Sequence, residues 1–223
     1  MWCIPKVTPE FKERMENILN PYAKPYDPKE PVLCFDEKSK QPLKDTRQAQ
    51  QAKEKRLKHS DCEYERNGTG NIFVTVEPKG GYREVAVTKH RKKPDFAKEI
   101  KRVVKLPQYR RAKKIHIVLD NLNTHFKKSF TETFGARKAK RILSCIMFHY
   151  TPKHASWLNM AEIEIGVFSG QSIKGRGGTE EKLRMHAKIW QRERNRERAM
   201  INWKFTVKDA RAKFKYGAGS GLS

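Results

Sequence analysis

Apolar residues recur along this chain in two periods, and the switches between them mark the elements. Phe11, Met15, Ile18 and Leu19 share one helical face. With Thr8 placed to cap and Pro9 suited to the first helical position, they predict a helix over 9–19. Residues 20–31 carry prolines at 21, 25, 28 and 31 and predict an irregular connector. Val32, Leu33, Cys34 and Phe35 then form a short apolar run closing on Asp36, the pattern of a buried strand with a carboxylate at its end. The polar, Gln- and Lys-rich residues 44–58 predict a loop. Between Glu63 and Glu77 two strand-like segments flank Asn67-Gly68-Thr69-Gly70, and Asn-Gly supplies the positive φ that a tight hairpin needs. Tyr82–Val87 adds a third strand, so this half reads as an antiparallel meander starting at the Asp36 strand.

The second half alternates helices with strands. Phe96, Ile100, Val103 and Val104 predict a helix over 94–104, and Ile115–Leu119 is a second buried run ending on an acid, Asp120. A helical stretch over 126–143 precedes a strand at 145–149, and a helix over 158–171 carries Glu162. A long basic helix is predicted over 179–198 and a short one over 206–214, followed by a small-residue tail. The fold class is therefore α/β. The divisions expected are an N-terminal helix and linker at 1–30, a catalytic domain at 31–200 and a short C-terminal helix with tail at 201–223.

Charge changes the picture most. Lys and Arg number 49 against 25 Asp and Glu, a formal +24, which attracts polyanions through release of their condensed counterions. Eleven basic residues crowd into 91–114 beside only Asp95 and Glu99. Nine more lie between Lys174 and Arg198 against four acids. Nucleic acid is the expected partner. Cys3, Cys34, Cys62 and Cys145 form no C-x-x-C pair, which argues against a zinc site or a secreted disulfide framework. No membrane span or signal segment is read from the pattern, so no membrane partner is expected.

Against this basic background, acids that close apolar strands stand out. Strand-end Asp36 and Asp120 from neighbouring strands, with Glu162 from a packed helix, would share one crevice. Three carboxylates raise each other's pKa, and divalent cations relieve that repulsion. Hard oxygen ligands with open water positions suit Mg²⁺ or Mn²⁺, and two such ions about 3.5–4 Å apart can serve phosphodiester attack. Turn and capping roles are the alternative for each acid taken singly.

Four segments then carry a resemblance: Val32–Lys38 (VLCFDEK), Glu63–Thr69 (EYERNGT), Val118–His125 (VLDNLNTH) and His149–Glu162 (HYTPKHASWLNMAE). In this order the chain resembles the mariner-related bacterial insertion-sequence transposases of the "six-thirty" group, with a DDE-superfamily endonuclease domain. The resemblance implies a ribonuclease-H-like mixed sheet flanked by helices. It maps the catalytic, metal-binding acids onto Asp36, Asp120 and Glu162, with 41 residues between the last two. Glu164 stands about 200° round the helix from Glu162, so the two cannot face the same ions.

The implied chemistry is metal-dependent cleavage at the element's ends, followed by in-line attack of the freed 3′-hydroxyl on target DNA. Asn121, His125, Lys153, His154, Asn159 and Arg176 are candidate DNA contacts, with Asn121 and His125 equally able to orient a metal ligand or cap the next helix. Trp157 reads as a core anchor. The helix-turn-helix part of such transposases has no counterpart here, so a companion helix-turn-helix polypeptide and a homodimer are open as further partners. An inactive, truncated remnant that binds nucleic acid non-specifically is the alternative. The expected location is the bacterial cytoplasm, on the nucleoid.

Overall fold

The computed structural model describes residues 7–40, 43–45, 64–66, 70–172 and 179–216. The strands are β1 (Val32–Lys40), β2 (Leu43–Asp45), β3 (Tyr64–Arg66), β4 (Gly70–Glu77), β5 (Tyr82–Thr88), β6 (Ile115–Leu119) and β7 (Ile146–Tyr150). The helices are α1 (Pro9–Ala23), α2 (Lys93–Val103), α3 (Lys127–Phe134), α4 (Ala136–Leu143), α5 (Ala161–Ser172), α6 (Glu180–Arg196) and α7 (Val207–Lys213). Five strands form one mixed sheet in the order β5-β4-β1-β6-β7. The β1–β4 and β4–β5 pairs are antiparallel, the latter as the meander reading expects, and β1–β6 and β6–β7 are parallel.

Side chains alternate across the sheet with the two-residue period of a strand, and each face buries its own core. Leu33, Phe35, Phe73, Ile117 and Leu119 face α2, α3 and α4, where Phe96, Ile100, Phe130 and Ile142 close the first core. On the other face Cys34, Val76 and Val118 pack under α1, α7 and Leu158. Beside them Ile72, Val74 and Val87 pack against Ile165 and Phe168 of α5 and Leu183, Ala187 and Trp190 of α6. Trp157 stacks on Trp203, 6.3 Å between ring centres, in the packing role expected of it.

Five readings need correction. β1 does not close on Asp36 but runs on to Lys40, because its antiparallel pairing with β4 continues as far as Lys40 opposite Gly70. The first helix does not stop at Leu19 but runs through Pro21 to Ala23. The last turn is carried by packing: Pro21 and Tyr22 are buried, and the Tyr22 hydroxyl donates to the Leu158 carbonyl at 2.9 Å. The segments flanking 67–69 do not pair as a hairpin. β4 pairs with β1, β3 with β2, and residues 67–69 themselves lie outside the described residues. The predicted loop begins with the strand β2, and its remainder, 46–58, lies outside the described residues. The single helix over 126–143 is two, broken at Gly135, whose φ of 77° is open to glycine and strained for side chains.

The predicted basic helix is α6, and its inward positions serve the sheet edge. Gln191 Oε1 accepts from the Val85 amide at 2.8 Å, and Asn195 brackets Arg83 by accepting from its amide at 2.7 Å and donating to its carbonyl at 2.9 Å. An edge strand is thereby covered rather than left as a template for another chain.

Candidate active site

The strand period places the two aspartates. In the parallel β1–β6 pair Cys34 stands opposite Val118. Two residues further along each strand come Asp36 and Asp120, so both carboxylates follow Cys34 and Val118 onto the face that carries α1 and α5. Glu162 enters from the first turn of α5 and is exposed. Asp36 feels the other two. Burial, and then the charges of Asp120, Glu37 and Glu162, push the Asp36 carboxyl up to about 7, although a 2.8 Å hydrogen bond from the Glu37 amide works the other way.

Asp120 has the opposite environment. Burial would raise its pKa, but the bond to His125, the imidazolium charge, the Leu122 amide and Arg91 together hold it below its ordinary value. Its Oδ1 lies 2.6 Å from His125 Nδ1 and accepts from the Leu122 amide at 3.0 Å. His125 is fully buried between Phe35 and Phe96, with ring centres at 5.5 and 4.7 Å. Its Nε2 sits 2.7 Å from Glu37 Oε2, an ion pair when the imidazole is charged. Burial would depress this imidazole, yet Asp120 and Glu37 overcome it and raise its pKa to about 9. Glu37, Asp120 and a charged His125 thus form one locked unit behind the crevice.

A groove of about 890 Å³ runs from Asp120 and Asn121 past Lys153 and His154 to Glu10 and Arg14. Arg14 Nη1 donates to Asn121 Oδ1 at 2.6 Å, and Asn121 in turn donates to the Thr151 carbonyl. His154 is exposed on a left-handed backbone, φ 62°. Asn121, Lys153 and His154 are therefore gathered beside Asp120. Two other candidate DNA contacts are not on the surface: His125 is enclosed, and Asn159 is 1% exposed. Asn159 donates to the Phe35 carbonyl at 2.8 Å and accepts from the Ala161 amide at 3.2 Å, bracing the Asp36 strand to the start of α5. Arg176 lies outside the described residues.

Glu164 points inward. It is 1% exposed and paired bidentately with the fully buried Arg83, at 2.7 and 3.0 Å, with Arg194 3.3 Å from the same Oε1. The sequence reading missed Arg14, Arg91 and the role of Glu37. Arg91 belonged to a visible charge run, but nothing local marked Glu37 as the partner of a histidine 88 positions on.

The donor set suits a hard divalent cation, being all carboxylate oxygen, with a mutual repulsion that a cation would relieve. Among the described residues no three donor groups are yet drawn together closely enough to hold an ion. Also among the described residues, no helix is long and apolar enough to cross a membrane.

The structure is similar to a Mos1 mariner paired-end complex with Mn, at 16% identity and a TM-score of 0.54, covering 89% of this chain and 61% of that one. It is also similar to a Mos1 transposase paired-end complex with the left transposon end, at 13% identity and a TM-score of 0.55, covering 89% and 64%. A mariner Mos1 paired-end complex with Mg matches at 15% identity and a TM-score of 0.50, covering 89% and 64%. The chain thus spans somewhat under two thirds of the length of these transposase chains. At such identities the likeness shows the fold, which is the ribonuclease-H-like fold of the Mos1 catalytic domain. No curated protein sequence matches. A family model, that of the DDE superfamily endonuclease, matches residues 31–184 and so takes in Asp36, Asp120 and Glu162. With well over half of its length matched, the chain belongs to the DDE superfamily endonuclease family.

Proposed function

We propose that this chain is the catalytic part of a DNA transposase, cutting strands at the ends of an insertion sequence and joining them to target DNA. The observation that carries the reading is the level placement of Asp36 in β1 and Asp120 just past its parallel neighbour β6, with Asp36 coupled electrostatically to Glu162. Asp36, Asp120 and Glu162 would hold two Mg²⁺ or Mn²⁺ ions. Such ions supply an activated water or 3′-hydroxyl and stabilise the departing oxygen. Exposed Glu162 has the freedom to swing inward and complete the set.

The residues around the acids divide the remaining work. Glu37 and His125 fix the Asp120 carboxylate, and Asn159 fixes the spacing between the Asp36 strand and α5. Arg14, Lys153 and His154 line the groove where a scissile strand would lie, with Asn121 held among them. The Mos1 structures are complexes with transposon ends, which supports end DNA as substrate. A companion helix-turn-helix polypeptide and a second copy of this chain are the proposed further partners, and the cytoplasmic nucleoid the proposed place of action. The test is cleavage of an end-labelled duplex in Mn²⁺ by the wild-type chain and by Asp36→Asn. The variant is expected to bind the duplex and cut nothing; cutting at the wild-type rate by folded Asp36→Asn would sink the assignment.

A further inference from the structure

The acids occupy one end of the sheet, and the other end is a basic pole that the catalytic reading leaves unused. β1 and β6 run toward the acids, so the residues that lead into β6 and β7 gather at the opposite end. Lys101 lies in the last turn of α2 and Lys105 just past it, Lys113 and Lys114 precede β6, and Lys138 and Arg141 lie on α4 before β7. Most of these side chains are exposed.

Two observations mark the pole as more than a solvated face. First, Lys101 and Lys138 place both ammonium groups over the same Phe134 ring, 4.9 and 5.4 Å from its centre. Lys138, Lys105 and Arg141 crowd the Lys101 ammonium closely enough to disfavour its charge. Second, no counter-charge among the described residues answers them. Among the described residues none of these six forms an ion pair, while nearby Glu84 and Glu99 are both taken by Arg102 and Glu132 by Lys93. Arg137, Lys138, Lys140 and Arg141 line an open groove of about 760 Å³ along α4.

A cluster of like charges gathered over one ring without an anion is stabilised by whatever anion fills it, and a row of them fits a row of phosphates. Duplex DNA presents about one charge per 1.7 Å of axis. We propose that this pole binds the backbone of a second segment of double-stranded DNA, outside the catalytic crevice and at the opposite end of the sheet. The choice of DNA as the polyanion rests on the transposase reading above. The acidic crevice repels DNA until cations occupy it, so the pole would supply metal-independent capture of the duplex.

The test is binding of a 30-bp duplex of arbitrary sequence to the full chain in EDTA, by fluorescence anisotropy across a salt series. The pole variant carries Lys101→Gln, Lys138→Gln and Arg141→Gln. A control of equal charge loss carries Lys182→Gln, Lys188→Gln and Arg192→Gln on the exposed side of α6. Three lost phosphate contacts should reduce the slope of log K against log salt by about 2.7 in the pole variant, at roughly 0.9 per contact, with a much smaller change in the control. Equal changes in both variants would overturn the proposal, as would no change in either. Altered self-association of the pole variant with unchanged DNA binding would also overturn it, identifying a protein interface instead. Plasmid nicking in Mn²⁺ is read on the same samples. A wild-type chain that never nicks while the slopes still differ would defeat the catalytic reading and leave the pole standing.

Discussion

Glu164→Gln separates the two neighbouring glutamates of α5 by what each does. Glu164 and Arg83 are 1% and 0% exposed, with two charge-assisted bonds of 2.7 and 3.0 Å between them. Among the described residues Glu164 is the carboxylate paired with Arg83, whose Nη1 has no hydrogen-bond partner. Removing one member of a buried pair leaves the other charge uncompensated, at a cost of about 3–5 kcal/mol. Arg194 loses its 3.3 Å contact too, but it is partly exposed and water replaces the carboxylate there. For a domain of this size about 2–4 °C of melting temperature accompanies each kcal/mol, so a fall on the order of 10 °C is expected. Glu162→Gln, at an exposed position, should change stability by no more than about 0.5 kcal/mol while abolishing cleavage. Urea unfolding followed by circular dichroism gives the first quantity and a duplex-cutting assay the second. A Glu164→Gln protein within about 1 kcal/mol of wild type would refute the reasoning on the buried pair. A Glu162→Gln protein that still cuts would refute the division of labour.

Three other outcomes follow from the same geometry. His125→Ala frees the Asp120 carboxylate from its 2.6 Å anchor and should weaken Mn²⁺ binding by about 10–100-fold in a calorimetric titration; unchanged affinity would show that the anchor does not orient the ligand. Asn159→Ala strips the Phe35 carbonyl and Ala161 amide of a buried partner and should cost about 1–3 kcal/mol in urea unfolding, and a neutral result would rule out the brace. His149, buried beside His116 at 2.8 Å, is held down at about 4, first by burial and then by its neighbour's charge. Because its folded pKa lies below the unfolded value of about 6.5, this contribution is complete above that pH. It is lost as pH falls toward 4, by roughly 3 kcal/mol. Stability measured across that window should flatten in His149→Gln; an identical profile would place the acid sensitivity elsewhere.

The parts legible in the sequence were those set by local period. Alternation through Cys34 to Asp36 and Val118 to Asp120 shows two buried strands that carry acids, though β1 runs on to Lys40 because β4 pairs with it beyond Asp36, and the α2, α5, α6 and α7 spacings show helices close to where they lie. What local pattern could not carry was partnership at a distance. Arg83 and Glu164 are 81 positions apart, and Asn159 meets Phe35 across 124. Asn67-Gly68 is a strong hairpin signal on its own, yet β3 and β4 each pair with strands from the other arm. Pro21 reads as a stop until the burial of Pro21 and Tyr22 is known. The histidine at 125 was visible as a motif residue, but its burial between two phenylalanines depends on α2, whose Phe96 meets it only in the folded sheet.

The central claim is that Asp36, Asp120 and Glu162 form one metal-dependent site for cutting DNA. Supercoiled plasmid incubated with Mg²⁺ or Mn²⁺, with wild-type chain beside Asp120→Asn, tests it most directly. The account predicts nicking by the wild type only when the cation is present, and none by a variant that folds and binds DNA normally. Nicking by Asp120→Asn at the wild-type rate would contradict it.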